Sequence, residues 1–169
     1  NVAVTEGDKV EAQMKFGWEI DAYPVNEIAD YVNDVAAGDV STLVEEYYDK
    51  YDILLEGRDA GEFKKHVAVQ AQIELGFEKF LVEKDYQAIV THFGDLGSLK
   101  QLPGLAIQRL MEKGYGFGGE GDWKTAALYR TTWFMSQGMP NGCSFLEDYT
   151  LNFDGEKSAI LQAHMLEVC

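Results

Sequence analysis

Residues 86–135 read YQAIVTHFGDLGSLKQLPGLAIQRLMEKGYGFGGEGDWKTAALYRTTWFM, and this stretch decides the fold class. The compact apolar run at 88–90 predicts a buried strand, and Pro103 predicts the first turn of a helix. The glycine-rich segment 114–121 contains a short strand, and 123–135 is a strongly apolar helix. Strands that alternate with helices in this way indicate a parallel sheet.

The residues before this stretch continue the alternation. Apolar runs at 2–5 and 18–25 predict two more strands, and helical spacing predicts a helix over 26–38. Thr42 and Glu45 have the spacing of a capping box, which predicts the start of another helix. We therefore expect an α/β fold with an open, mainly parallel sheet and helices on both faces, in a Rossmann-like three-layer arrangement.

The clearest break in the chain is QGMPNG at 137–142. After it, 145–153 and 159–164 predict two antiparallel strands joined by a tight turn. We expect a central α/β domain over 1–142 and the first strands of a β-rich domain over 143–169. Because both ends lie within apolar runs, we expect the chain to be a piece of a longer protein.

Composition narrows the range of functions. The 169 residues are 46% hydrophobic and 25% charged, which is typical of a soluble globular protein. Fourteen basic residues against 29 acidic ones give a net charge of −15, which argues against binding nucleic acid. No apolar run is long enough to cross a membrane, and no signal peptide opens the chain. With only two cysteines, a reduced, cytoplasmic protein is expected.

The glycines of the 114–121 segment match a dinucleotide-binding pattern without its context. Gly114, Gly116 and Gly119 fit G-x-G-x-x-G, but a helix precedes them where that motif needs a hydrophobic strand. The acidic residue expected about 20 positions later is also missing. Because the strand and the acidic residue are missing, we do not expect these glycines to bind a nucleotide.

Glu120 is the first candidate for chemistry. It stands among glycines between a short strand and a helix, so a ligand can approach it closely, at the carboxyl end of a strand. The alternative is an acid that offsets the dipole at the helix N-terminus, a role that suits Asp122 better.

Glu147 and His164 are the other two candidates. Because adjacent strand residues face opposite sides, we expect either Glu147 or Asp148 to face inward. The alternatives are an edge-strand charge for Glu147 and a hydrogen-bonded core residue for His164. Two glutamates and one histidine form an oxygen-rich set that suits Mn²⁺, Mg²⁺ or Co²⁺ better than zinc or copper.

Several blocks of the sequence resemble the L-arabinose isomerase family, in the order in which that family has them. They are VAVTEGDKV at 2–10, LKQLPGL at 99–105, GYGF at 114–117 with EGDWKTAAL at 120–128, SFLEDYT at 144–150 and HMLEVC at 164–169. The resemblance covers the whole chain and corresponds to the central third of the family's length. It implies an enzyme that interconverts L-arabinose and L-ribulose, and D-galactose and D-tagatose.

The resemblance also implies a set of site residues. The family holds Mn²⁺ or a similar ion with two glutamates and two histidines. By motif match, Glu120 and Glu147 are metal ligands and the acid–base pair, His164 is a metal ligand, and the second histidine lies outside this chain. Phe93 and Met165 would contact the sugar. The complete enzyme is expected to be a homo-oligomer, and the isolated piece is expected to be inactive. A fucose-type ketol isomerase and a non-catalytic α/β binding module remain alternatives.

Overall fold

The computed structural model describes residues 5–140, 142–155 and 157–163. Six α-helices and four strands occur within these residues. The helices are α1 Lys9–Phe16, α2 Val25–Asn33, α3 Ala37–Lys50, α4 Ala60–Lys84, α5 Gly104–Glu112 and α6 Trp123–Met135. The strands are β1 Ala88–Val90, β2 Gly116–Gly118, β3 Glu147–Asn152 and β4 Ala159–Ala163.

The fold is organised around a parallel strand pair. β1 pairs with β2 in a register that sets Ala88 beside Gly116 and Val90 beside Gly118, and α5 lies in the crossover between them. Parallel strands require such a crossover, because the chain must return to the end of the sheet where it started. α6 packs against both strands. The carboxyl ends of the two strands therefore meet at one edge, which α6 borders at its N-terminus.

The long helix α4 forms the centre of the hydrophobic core. It packs against α2, α3 and α5. Its buried side chains Phe77, Phe80 and Leu81 belong to a cluster that also contains Phe117 of β2. Gly76 allows α2 to approach closely, because a Cβ there would lie 2.5 Å from Val32 Cα. Phe117 therefore connects β2 to this core.

A buried charged network joins α3, α4 and α5. The Glu74 carboxylate, fully buried, accepts hydrogen bonds from Tyr47 Oη at 2.5 Å, Arg109 Nε at 2.7 Å and Lys113 Nζ at 3.2 Å. Arg109 also donates to Glu46 at 2.6 Å. Burial, together with the hydrogen bond to Glu74, raises the pKa of Tyr47. The carboxylate is stable there because each of its oxygens has a charged or strongly polar partner.

The C-terminal strands form an exposed hairpin. β3 and β4 are antiparallel, as predicted, with an extra residue, Tyr149, between the pairs that Asp148 and Thr150 make. Every residue of β3 is exposed. The expectation that Glu147 or Asp148 faces inward is therefore wrong, because no second layer covers either face of this hairpin among the described residues.

Two local expectations are also wrong. Residues 18–25 form no strand: 17–24 are irregular, and α2 begins at Val25. The apolar alternation instead reflects aromatic anchoring, since Tyr23 packs edge-on against Phe80 at 5.1 Å. Thr42 caps no helix start; it lies inside α3 and donates its hydroxyl to Gly38 O at 3.0 Å.

The fold class is confirmed as α/β with a parallel pair and a short antiparallel pair. A Rossmann-like three-layer arrangement stays a prediction. Over the described residues, no helix combines the length and the apolar character needed to span a bilayer.

Candidate functional site

Glu120 occupies a strained turn between β2 and α6. Gly119–Gly121 form a single 3₁₀ turn, and within it Glu120 has φ 57° and ψ 26°, which is left-handed. A side chain in that region costs roughly 1–2 kcal/mol relative to right-handed backbone. Gly121 is also left-handed, at φ 77°, without that cost. Such a conformation persists only where the surroundings hold it.

Hydrogen bonds on both sides hold this turn. The Thr5 hydroxyl donates to the Glu120 carbonyl at 2.8 Å. The Gly121 N–H donates to the Thr91 carbonyl at 2.9 Å, which ties the turn to the residue after β1. The Asp122 N–H closes the turn on Gly119 O at 3.0 Å. The position of Glu120 is thus set by two distant residues, Thr5 and Thr91, and by the bond that closes the turn itself.

The glycines of β2 allow α6 to lie against the strand. A Cβ at Gly116 would lie 2.2 Å from Ala126 O, and a Cβ at Gly118 would lie 2.0 Å from Asp122 O. Both contacts are with backbone atoms, which a side-chain rotation cannot relieve. Close packing of a strand and a helix therefore accounts for these two glycines without a bound nucleotide.

Asp122, rather than Glu120, caps α6. Its carboxylate accepts from Thr125 N at 3.0 Å and from Thr125 Oγ1 at 2.7 Å, as expected for an N-cap acid. The Glu120 side chain is exposed and makes no hydrogen bond or ion pair with any residue that the structure describes. Its carboxylate oxygens are therefore available to a ligand.

The residues that follow β1 lie at the same strand edge. Phe93 is 57% exposed, and its ring stacks on the ring of His92 with centroids 5.0 Å apart. His92 Nδ1 accepts a hydrogen bond from Gly94 N at 3.0 Å. His92 was not among the predicted site residues, although it lies two residues after the buried strand β1, at a strand end where ligand-binding residues are expected.

Glu147 opens β3 and lies opposite Ala163 of β4. Its carboxylate is exposed and makes no hydrogen bond or ion pair within the described ranges. Phe145, two residues earlier, packs edge-on against Phe117 of β2 with ring centroids 6.3 Å apart. The segments that carry the two candidate glutamates thus touch through a pair of aromatic rings.

Two candidate residues, His164 and Met165, lie outside the described residues. Within 5–140, 142–155 and 157–163, no group of three or more His, Cys, Asp or Glu side chains lies close enough to hold a metal ion. Convergence of Glu120, Glu147 and His164 on one ion therefore stays a prediction. The donor chemistry fits such an ion, because the described candidates offer two exposed carboxylates that no described cation neutralises.

Comparison with known proteins agrees with the sequence blocks. Residues 1–138 match the family model for the L-arabinose isomerase central domain, and 142–169 match the model for its C-terminal domain. Proteins named L-arabinose isomerase from Bacteroides thetaiotaomicron and Nocardioides sp. are each 52% identical over 100% of this chain, and one from Geobacillus kaustophilus is 52% identical over 99%.

The match covers nearly all of this chain but only part of each relative. The chain spans 34% of the length of these curated relatives. On the two domain matches and this level of identity, the chain belongs to the L-arabinose isomerase family.

Proposed function

We propose that this chain is the central part of a metal-dependent aldose–ketose isomerase that interconverts L-arabinose and L-ribulose, and D-galactose and D-tagatose. The observation that carries the proposal is the Glu120 carboxylate, which is exposed and unpaired among described residues on a turn held by Thr5, Thr91 and Gly119. The names of the curated relatives support the sugar substrate.

The reaction requires two carbon-bound proton transfers. Isomerisation takes a proton from C2 of the aldose and delivers one to C1, while a hydroxyl proton passes from O2 to O1. A carboxylate within hydrogen-bond reach can accept the first proton, and a carboxylic acid can supply the second. We assign these roles to Glu120 and Glu147 jointly, without assigning the base to either of them.

The metal would be held by Glu120, Glu147 and His164, with a second histidine from outside this chain. A divalent ion, Mn²⁺ or alternatively Co²⁺ or Mg²⁺, would supply positive charge that stabilises developing negative charge on the sugar oxygens. Exposed carboxylates suit such hard ions.

The substrate would lie at the strand edge. Phe93 is exposed and lies two residues after Thr91, whose carbonyl holds the turn that carries Glu120, so its ring could cover the apolar face of a sugar. Met165 would adjoin the same sugar. The site would then lie in the crevice between the domain at 1–142 and the one that begins at 143, in an enzyme that assembles as a homo-oligomer.

Substitution of the two glutamates in the complete enzyme tests the proposal. Glu120→Gln and Glu147→Gln remove a charge but keep the side-chain shape, and each should lower kcat at least about 100-fold. Calorimetry should show weaker Mn²⁺ binding by both variants. The matched control is Glu45→Gln, which changes an exposed glutamate of α3 and should leave both quantities unchanged.

Several outcomes would contradict the proposal. Wild-type turnover in either site variant would contradict the acid–base roles assigned to Glu120 and Glu147. Preference for L-fucose over L-arabinose would indicate a different ketol isomerase. Absence of metal-dependent L-arabitol binding would indicate a non-catalytic module. Because one ligand is expected outside the 169 residues, the isolated chain should bind metal weakly and show no turnover; measurable isomerase activity from it would contradict that assignment.

A further inference from the structure

Residues 5–7, here called the N-terminal strap, lie across the turn that carries Glu120. Lys124 Nζ donates to the strap carbonyls of Thr5 at 2.5 Å and Glu6 at 2.9 Å. Trp123 Nε1 donates to Glu6 Oε1 at 3.0 Å. The strap is therefore fastened to the first turn of α6 by three bonds, in addition to the bond from the Thr5 hydroxyl to Glu120.

The strap also fits closely against α6. A Cβ at Gly7 would lie 2.8 Å from Trp123 Cζ2, so the strap could not take this path with a larger residue there unless the indole moved. The path continues into α1, whose N-cap Asp8 accepts from Glu11 N at 2.8 Å. The bonds of the Thr5 and Glu6 carbonyls to Lys124, together with the close approach of Gly7 to Trp123, thus limit where Thr5 can place its hydroxyl.

The Thr5 bond acts on the residue whose backbone is strained. Gly121 and Asp122 are tied to Thr91 and Gly119, but the Thr5 hydroxyl reaches the Glu120 carbonyl itself. A hydrogen bond to that oxygen restrains the peptide plane between Glu120 and Gly121, and so helps to restrain ψ of Glu120 and the direction in which its side chain leaves the turn. A preorganised carboxylate needs no reordering when a ligand arrives, which favours binding and catalysis.

We propose that Thr5 is a positioning residue for the Glu120 carboxylate, acting through its hydrogen bond to the Glu120 carbonyl. The inference rests on the proposed function, since it assigns Thr5 a role in the same site. Thr5 itself contacts neither substrate nor metal in this scheme. Loss of its hydroxyl weakens metal binding and slows proton transfer through Glu120.

The test compares variants of the complete enzyme. Thr5→Val keeps the branched shape without the hydroxyl, and it should weaken Mn²⁺ binding in calorimetry and lower kcat, each by about five- to tenfold. Thr5→Ser keeps the hydroxyl and should stay within about twofold of wild type. Thr42→Val is the matched control: it also removes one side-chain to backbone bond, within α3, and should change neither quantity.

A second variant covers the case in which Thr5→Val fails to fold. Lys124→Met keeps the aliphatic side chain but loses the bonds to the Thr5 and Glu6 carbonyls. Like Thr5→Val, it should weaken Mn²⁺ binding and lower kcat. If these variants lower the melting temperature but leave Mn²⁺ affinity and kcat unchanged, the inference is wrong. It is also wrong if Thr5→Ser lowers Mn²⁺ affinity and kcat as far as Thr5→Val does. If Glu120→Gln abolishes turnover while Thr5→Val does not lower it, only this inference fails; if Glu120→Gln is also normal, the proposed function fails.

Discussion

Replacement of Gly118 by alanine isolates the packing that places Glu120. Gly118 has φ −143° and ψ 131°, an extended conformation that any residue adopts, so the substitution introduces no backbone strain of its own. The added Cβ would lie 2.0 Å from Asp122 O and 3.0 Å from the carbon of the same carbonyl. Any loss of stability or turnover should therefore come from steric overlap with the turn that precedes α6.

The size of the effect follows from these distances. Ordinary contact begins near 3.4 Å, so the turn or the strand must move by more than 1 Å. Overpacking of this kind costs about 1–3 kcal/mol of stability. Because the moving atoms belong to Asp122, two residues from Glu120, the carboxylate should be displaced as well. A misplacement of about 1 Å in a catalytic group lowers the rate by about 100-fold.

Urea denaturation of the 169-residue chain, monitored by circular dichroism, measures the loss of stability. The kcat of the complete enzyme reports the effect of displacing the Glu120 carboxylate. Gly38→Ala is the control, because a Cβ at Gly38 meets nothing within 4 Å in α3. That variant should keep full turnover and gain up to about 0.5–1 kcal/mol of stability. Wild-type stability and turnover in Gly118→Ala would refute the packing argument.

Three further predictions concern stability of the 169-residue chain in urea. Arg109→Met removes a cation from the buried Glu74 carboxylate and should lower the free energy of unfolding by about 3 kcal/mol. Lys50→Met breaks an exposed ion pair and should lower it by less than about 1 kcal/mol. Equal losses in the two variants would contradict this prediction. Asp122→Ala removes the α6 cap and should cost about 1 kcal/mol; no loss would argue against capping. Burial and the hydrogen bond to Glu74 raise the pKa of Tyr47. The contribution of Tyr47 to the free energy of unfolding is therefore complete below about pH 10, and it is lost as the pH rises towards the folded-state pKa. Tyr47→Phe should make the free energy of unfolding less dependent on pH in this alkaline range. An unchanged pH dependence would contradict this prediction.

Sequence periodicity predicted the elements around the site well. The helix expected over 123–135 is α6 with the same ends, and the run at 88–90 is β1. Both are long or apolar enough for local pattern to agree with tertiary context. The strand expected over 18–25 is absent because Tyr23 and its neighbours anchor the chain on α4 without strand pairing, and alternation alone cannot separate these two causes of burial.

Interactions between distant residues were beyond sequence reasoning. The flanking glycines marked Glu120 as approachable, but nothing in its neighbourhood indicates that Thr5, 115 positions away, bonds its carbonyl. Likewise, Glu74 and Arg109 are 35 residues apart on different helices, so no spacing rule pairs them. Buried charges find partners through packing, which the linear pattern does not contain.

The two candidate glutamates differ in how firmly the described chain holds them. Glu120 sits on a turn fastened by Thr5, Thr91 and Gly119, next to a packed core. Glu147 begins an exposed two-stranded hairpin, and such a hairpin is marginally stable in water without a further layer. Phe145 connects the segment before Glu147 to the core through its contact with Phe117, and Cys143 packs against the same core. A divalent ion would therefore meet one ligand already in place and a second that must be ordered, and ordering costs free energy. The complete enzyme should bind the ion more tightly than the 169-residue chain, because additional packing on the hairpin would order Glu147 before the ion binds.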